Sequence, residues 1–264
     1  MLQGHHVNLQ RSITSFTDAL LAATPAIPGL DRSIVIPARR LHLTLGVMSL
    51  DADGQTAPAP TFATPPAQSS PAARPRTLAS AVALLQEVGL RIREILGREP
   101  LRVSLCQMDI MKPERRDPER AHVMWVGPSP DREDARRLKK VAELINKTFR
   151  DAGLVVDENR PLKLHCTVLN TVYRKPRSRD RQPFSFSSIL SSAVLRAIAV
   201  NALSVGAPAA VVAAGSSTQS AILEKGPVSV DLGEWDVDEV QICEMGSWGP
   251  EGEYVCVGRC SLVA

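Results

Sequence analysis

Two five-residue stretches of the chain, 123 residues apart, repeat one pattern: Leu41-His42-Leu43-Thr44-Leu45 and Leu164-His165-Cys166-Thr167-Val168. Successive side chains of an extended strand point to opposite faces, so alternation of apolar with polar residues marks a strand buried on one side. His42 and Thr44 then share one face, and Leu41, Leu43 and Leu45 pack the other. His165 and Thr167 share a face in the same way, with Leu164, Cys166 and Val168 behind them. Two of the five histidines in the chain fall at matched places in a duplicated strand. A fold that keeps both apolar faces in its core has to present both histidines outward.

Such a pair suits acid–base chemistry. The unperturbed histidine pKa, about 6.5, lets one imidazole take a proton from an attacking hydroxyl while the other protonates a leaving oxygen. A threonine hydroxyl two residues along the same face can donate to a phosphoryl oxygen, where charge builds up during transfer. The scheme needs no metal or cofactor, and the sequence holds no H-E-x-x-H, tight carboxylate cluster or CxxC pair. A single H-x-T on a strand is more often a core histidine bonded to backbone. Two copies, each preceded by basic residues (Arg39 and Arg40; Lys163), favour function over coincidence.

The flanking residues narrow the reading. Ser33-Ile34-Val35-Ile36-Pro37-Ala38-Arg39-Arg40 runs into the first motif, and Leu169-Asn170-Thr171-Val172-Tyr173-Arg174-Lys175 runs out of the second. With the late stretch from Val237 to Gly246, they resemble the 2H phosphoesterase (LigT-like) superfamily. The likeness is to the branch holding activating signal cointegrator 1 complex subunit 1 and the phosphoesterase-like domain of an A-kinase anchoring protein. It covers about residues 5–50, 78–175 and 227–264. It implies an α+β fold of two pseudo-symmetric halves, each an antiparallel sheet backed by helices, with a central groove between the H-x-T strands. It also implies that His42 and His165 are the acid–base pair, and that Thr44 and Thr167 hold the phosphate of an RNA-type phosphodiester.

Two departures stand out. Relatives open with a hydrophobic strand, whereas here a helical pattern (Leu9, Ile13, Phe16, Leu20) starts almost at once. The opening strand is expected to be missing or cut down to a few residues around His5 and His6, exposing a sheet edge. Cointegrator-type members also carry a KH domain with a GxxG loop. With none ahead of this domain, contact with nucleic acid is expected to fall to the groove.

Along the chain we expect a helix over 7–23, strands over 34–36 and 41–48, and a helix from a Thr77 cap to about residue 96. Leu78, Val82, Leu85, Ile92 and Ile95 are its expected apolar stripe. Strands over 101–110 and 122–126 follow, then a helix starting at Ser129-Pro130 and ended by Gly153, with Leu138, Val141, Ala142, Ile145 and Phe149 inward. We read 1–264 as a single domain carrying a disordered Pro/Ala/Ser/Thr-rich insertion over 51–77 and a variable Ala/Ser/Val-rich insertion over 187–226. The apolar run 193–214 is broken by Arg196, Asn201, Gly206 and Pro208, which speaks against a membrane span. His122 and Trp125 fall on opposite strand faces and read as core.

The net charge of +3 names no partner by itself. The run from Arg174 to Arg181 reads equally as a solvated loop or as a flank that attracts phosphate, and as a weak nuclear-import signal. Tyr173 is a candidate for base stacking, and Arg174 and Lys175 are candidates for substrate contact. Five scattered cysteines read as reduced thiols of an intracellular protein, nuclear or cytoplasmic. The expected function is a metal-independent phosphoesterase acting on 2′,3′-cyclic or 2′,5′-linked RNA ends. Its partners would be RNA, an oligonucleotide or a nucleotide. The alternative is a non-catalytic nucleic-acid- or protein-binding subunit of a transcription coactivator or repair complex, and a third reading is an adaptor that holds a nucleotide without turning it over.

Overall fold

The computed structural model describes residues 2–3, 6–51, 75–156, 161–199 and 226–262. Most of the expected insertion over 51–77, and residues 200–225 of the one over 187–226, lie outside them.

The architecture is α+β with antiparallel sheets. One sheet has the order β6 (Cys166–Asn170), β5 (Val123–Gly127), β4 (Gln107–Ile110), β7 (Val228–Ser229). Two-stranded pairings make up the other side: β1 (Leu2–Gln3) with β2 (His42–Leu43), β3 (Leu101–Ser104) with β8 (Glu234–Val237), and β9 (Glu239–Trp248) with β10 (Tyr254–Ser261). α2 (Leu78–Leu96) and α3 (Glu133–Asp151) pack on each other; α3 covers β3 and α2 covers β10. α1 (Val7–Leu21) packs against α5 (Ala193–Ile198), which follows α4 (Phe186–Ser191). The buried apolar side chains form one contiguous cluster that runs from Leu9 and Ile13 through Leu41, Leu43 and Leu45 to Leu85, Ile145 and Val168.

Backbone chemistry sets the limits of these elements. Thr77 caps α2 by accepting from the Ser80 amide at 3.2 Å. α3 starts at Glu133, later than the Ser129-Pro130 signal suggested, because the Arg132 amide closes a turn onto the Ser129 carbonyl. Glu133 and Asp134 then place negative charge at the positive end of the helix dipole. Gly153, at φ +72°, ends α3 in the left-handed region that glycine enters without strain.

Several expectations need correction. The strand expected over 34–36 is partly a 3-10 turn, Arg32–Ile34, with Val35 bridged to Leu169 of β6. Pro37 and a second 3-10 turn, Ala38–Arg40, interrupt the chain before β2. The extended 41–48 stretch has strand pairing at His42–Leu43 and a bridge from Met48 to Val155. The opening strand is cut down to two residues, Leu2–Gln3, just ahead of His5 and His6. The strand expected over 101–110 is two strands in different sheets. The stripe of α2 is displaced: Ala81, Leu84, Leu85, Val88, Gly89, Ile92 and Leu96 are buried, whereas Ile95 is 44% exposed. Small residues define the contact face there, since they let β10 approach, and counting only large apolar residues misses them.

Gly89 is the tightest point of that approach: a Cβ on it would land inside the van der Waals radius of Cys260 Sγ. Alanine normally stabilises a helix interior by about 1 kcal/mol over glycine. Overpacking costs about 1–3 kcal/mol, so the clash wins. Gly89→Ala is therefore expected to lower stability in urea unfolding, and Gly89→Ala with Cys260→Ala to recover most of the loss.

Candidate active site

The two motif strands keep the alternation expected of them. Leu41, Leu43 and Leu45 are buried and His42 and Thr44 half-buried; Cys166 and Val168 are buried and His165 and Thr167 half-buried. Leu41, Leu43 and Cys166 jointly line a small apolar cavity of about 40 Å³. The apolar backs of both motifs therefore meet in one core, and both histidines face away from it. The approach to the first motif is tied directly to the second strand, where the Ile36 amide donates to the Val168 carbonyl at 2.8 Å.

Both imidazoles are held by the same device. His42 Nδ1 lies 2.7 Å from the Arg40 carbonyl oxygen and His165 Nδ1 lies 2.8 Å from the Lys163 carbonyl oxygen. A carbonyl only accepts, so each Nδ1 carries the hydrogen. That leaves Nε2 as the lone-pair nitrogen of both neutral rings, the atom that can take or return a proton. His122, by contrast, has both nitrogens engaged, with Nε2 2.7 Å from Glu114 Oε1 and Nδ1 2.8 Å from Thr171 Oγ1. It braces the loop after β4 and has no nitrogen left for a substrate.

Burial holds the pKa of His42 below the ordinary histidine value; the bond to the Arg40 carbonyl opposes the shift and the charge of His165 adds to it. Burial likewise lowers His165, against its bond to the Lys163 carbonyl, with the Lys163 ammonium adding to the depression. Cys166, between the two polar residues of its motif, is pushed up to about 12 by burial. It stays a neutral thiol and offers no nucleophile.

A cavity of about 700 Å³ opens beside the motifs. Its lining takes Thr44 from the first and His165 from the second, with Asn146 and Arg150 of α3 and Lys163. His42 and Thr167 are outside that lining. Asn146 Nδ2 donates to the Leu45 carbonyl at 2.7 Å, which pins the strand beyond Thr44. Lys163 and Arg150 give the cavity positive charge, as a phosphate needs.

Aromatic residues flank each histidine. Tyr254 meets the His42 ring edge-on at 5.0 Å between centroids, and Trp125 meets His165 in the same T-shaped way at 6.4 Å. Arg40 lies 3.6 Å over the Trp248 ring and Lys163 Nζ 4.1 Å over that of Trp125. Sequence reasoning missed Tyr254, Trp248, Asn146 and Arg150, because tertiary packing alone brings them here. Only the i, i+4 spacing of Asn146 and Arg150 on one helix face was there to be seen. Tyr173, 40% exposed, stands near Tyr254, whose pKa is raised by burial and then by the Tyr173 phenol. Arg174 turns away: its Nη2 donates to the carbonyls of Gly29 at 2.6 Å and Gln182 at 3.3 Å. It borders a separate cavity of about 250 Å³ with Arg177 and Arg181. Lys175 is exposed, and its amide donates to Ser33 Oγ at 2.9 Å.

Among the described residues no group of three or more His, Cys, Asp or Glu comes together to hold a metal. Among them, too, no helix is long and apolar enough to cross a membrane. What the arrangement offers is two histidines whose Nδ1–H is engaged by backbone, with Thr44 of one motif and His165 of the other in one cavity wall.

Residues 73–262 match the model of the AKAP7 2'5' RNA ligase-like domain family. The match takes in His165 and Thr167 and starts after His42 and Thr44, so the first motif stands on geometry and on its likeness to the second. The chain is 24% identical over 179 residues, 67% of its length, to activating signal cointegrator 1 complex subunit 1 of Mus musculus. It spans 43% of that relative. Among solved structures it is similar to E. coli LigT complexed with 3'-AMP, at 12% identity over 100% of this chain and 97% of that one, with a TM-score of 0.45. A protein of Thermus thermophilus is 16% identical over 96% of this chain and 92% of its own, with a TM-score of 0.42.

The lowered histidine pKa values make folding sensitive to acid. Below about pH 6.5 unfolded histidines bind protons that folded His42 and His165 still resist, so the unfolded state gains. The stability tied to this pair is complete above that pH and is lost as pH falls through the folded values. In urea unfolding at pH 7 and pH 5, a His42→Gln, His165→Gln double variant should lose less stability than wild type over that interval. Equal losses would contradict the shifts.

Proposed function

The chain belongs to the AKAP7 2'5' RNA ligase-like domain family, and from that premise we propose that it works as a 2H phosphoesterase, cleaving RNA-type phosphodiesters without a metal. The observation that carries the proposal is the shared state of His42 and His165. Each has Nδ1–H spent on the carbonyl two residues back and Nε2 free to exchange a proton.

In this reaction one Nε2 takes the proton from the attacking water or hydroxyl as its oxygen bonds to phosphorus. The other, protonated, gives its proton to the leaving ribose oxygen as that P–O bond breaks. The two imidazoles exchange states, and solvent resets them. Thr44 and Thr167 donate to the non-bridging oxygens, whose charge grows in the transition state. Lys163 and Arg150, in the cavity wall, draw in the anion. Tyr173, exposed near Tyr254, would stack on a base at the His42 end. Arg174 and Lys175 act at a distance, through the fold and through charge. A 2′,3′-cyclic phosphate and a 2′,5′ linkage both present the ribose oxygens this chemistry requires, and we take RNA ends of these types as the substrates.

The mouse relative is, by its name, a subunit of the activating signal cointegrator 1 complex. We extend that to assembly of this chain with a coactivator-type complex in the nucleus.

The test is turnover of 2′,3′-cyclic, 2′,5′-linked and 3′,5′-linked RNA in EDTA. Wild type should cleave one of the first two. His42→Ala and His165→Ala should each lower kcat by about 10²–10⁴-fold. Thr44→Ala and Thr167→Ala should each lower kcat/KM by roughly 100-fold. Full activity in either histidine variant would overturn the mechanism.

A further inference from the structure

The duplication at this site goes further than His and Thr. In both motifs the residue two before the histidine is a cation, and it does two jobs. Its carbonyl takes the Nδ1–H of the histidine, and its charged end sits over a tryptophan ring: Arg40 over Trp248, Lys163 over Trp125. Each tryptophan leads back to the ring held by that carbonyl. Trp125 meets His165 directly, and Trp248 packs on Tyr254 at 4.8 Å, which in turn meets His42. The first loop is closed further by the β9–β10 hairpin, since Arg40 Nε donates to the Gly252 carbonyl at 2.5 Å and Arg39 pairs with Glu251.

Trp125 is a costly choice for packing alone. It is 3% exposed, and its indole N–H has no hydrogen-bond partner among the described residues. Burying a donor unpaired costs about 1–3 kcal/mol, and a phenylalanine or leucine would fill the core without that loss. An indole face, however, is the strongest aromatic partner for a cation. The residue kept here is the one that best holds Lys163.

We propose that Trp125 with Lys163, and Trp248 with Arg40, are positioning residues that lock His165 and His42 in the ring orientation and tautomer with Nε2 unprotonated. This rests on the two-histidine reading of the site. Holding the cation side chain steadies the peptide whose carbonyl receives Nδ1–H, while the aromatic edge blocks rotation of the imidazole about its Cβ–Cγ bond. Loosening either lets the ring turn, so that Nδ1 loses its acceptor and the proton redistributes between the nitrogens.

Imidazole nitrogen NMR of the full chain without substrate reads this directly. In wild type both histidines should show the Nδ1–H tautomer. Lys163→Met and Trp125→Leu should move His165 toward a mixture and leave His42 unchanged; Trp248→Leu should move His42 alone. Trp125→Phe, which keeps an aromatic face, should restore most of the single tautomer. On a substrate that wild type turns over, Lys163→Met should lower kcat by roughly 10- to 100-fold. The proposal is overturned if His165 keeps a pure Nδ1–H signal in Lys163→Met, or if every variant disturbs both histidines alike, as general loosening would. Should Trp125→Leu fail to fold, Lys163→Met decides alone, because Lys163 is exposed. Absence of turnover on every substrate would defeat the phosphoesterase reading and leave the spectra to judge this one.

Discussion

Everything at this site depends on the burial of the motif backs against one another. Leu41, Leu43 and Leu45 on one strand and Cys166 and Val168 on the other are each less than 8% exposed and belong to one apolar cluster. Burying a side chain of leucine size contributes about 1.5–3 kcal/mol. A slip of either strand by one residue would expose several of these at once and drive a histidine and a threonine into the core. The register is held by the whole cluster, and the outward face of the histidines follows from it. The Ile36–Val168 main-chain bond then fixes the two motifs relative to each other.

On that frame, polarity is controlled by backbone. Each histidine spends its Nδ1–H on a carbonyl of its own chain two residues back, so orientation comes from local geometry that the duplicated sequence reproduces in both halves. Burial lowers the pKa of both rings, which favours the form whose Nε2 can take a proton; the ring that gives one has to gain it against that shift. The surroundings are not copied as faithfully. The second motif has its tryptophan on the neighbouring strand β5, whereas the first borrows its aromatic residues from the β9–β10 hairpin at the far end of the chain.

The sequence made the motifs legible because a period of two needs only five residues to declare itself. The helices were legible from longer patterns, and the caps at Thr77 and Gly153 stood where local chemistry put them. What escaped was tertiary. The stripe of α2 is set by how closely β10 approaches Gly89, and Pro37 with its 3-10 turn breaks a strand that apolar content alone would continue. Tyr254 and Trp248 reach His42 through a hairpin more than 200 residues away in sequence, and no local pattern carries that contact. Arg174 shows how tertiary contacts redirect a side chain: beside the motif in sequence, it sends its Nη2 to the carbonyls of Gly29 and Gln182.

The central claim is that both imidazoles and both threonine hydroxyls serve one phosphoryl group. A crystal structure with a cleavage-resistant 2′,5′-linked dinucleotide phosphorothioate tests it most directly. The phosphorus should lie between His42 Nε2 and His165 Nε2, with non-bridging atoms within hydrogen-bond reach of Thr44 and Thr167. A phosphorothioate contacting only one motif, or seated among Arg174, Arg177 and Arg181, would contradict it.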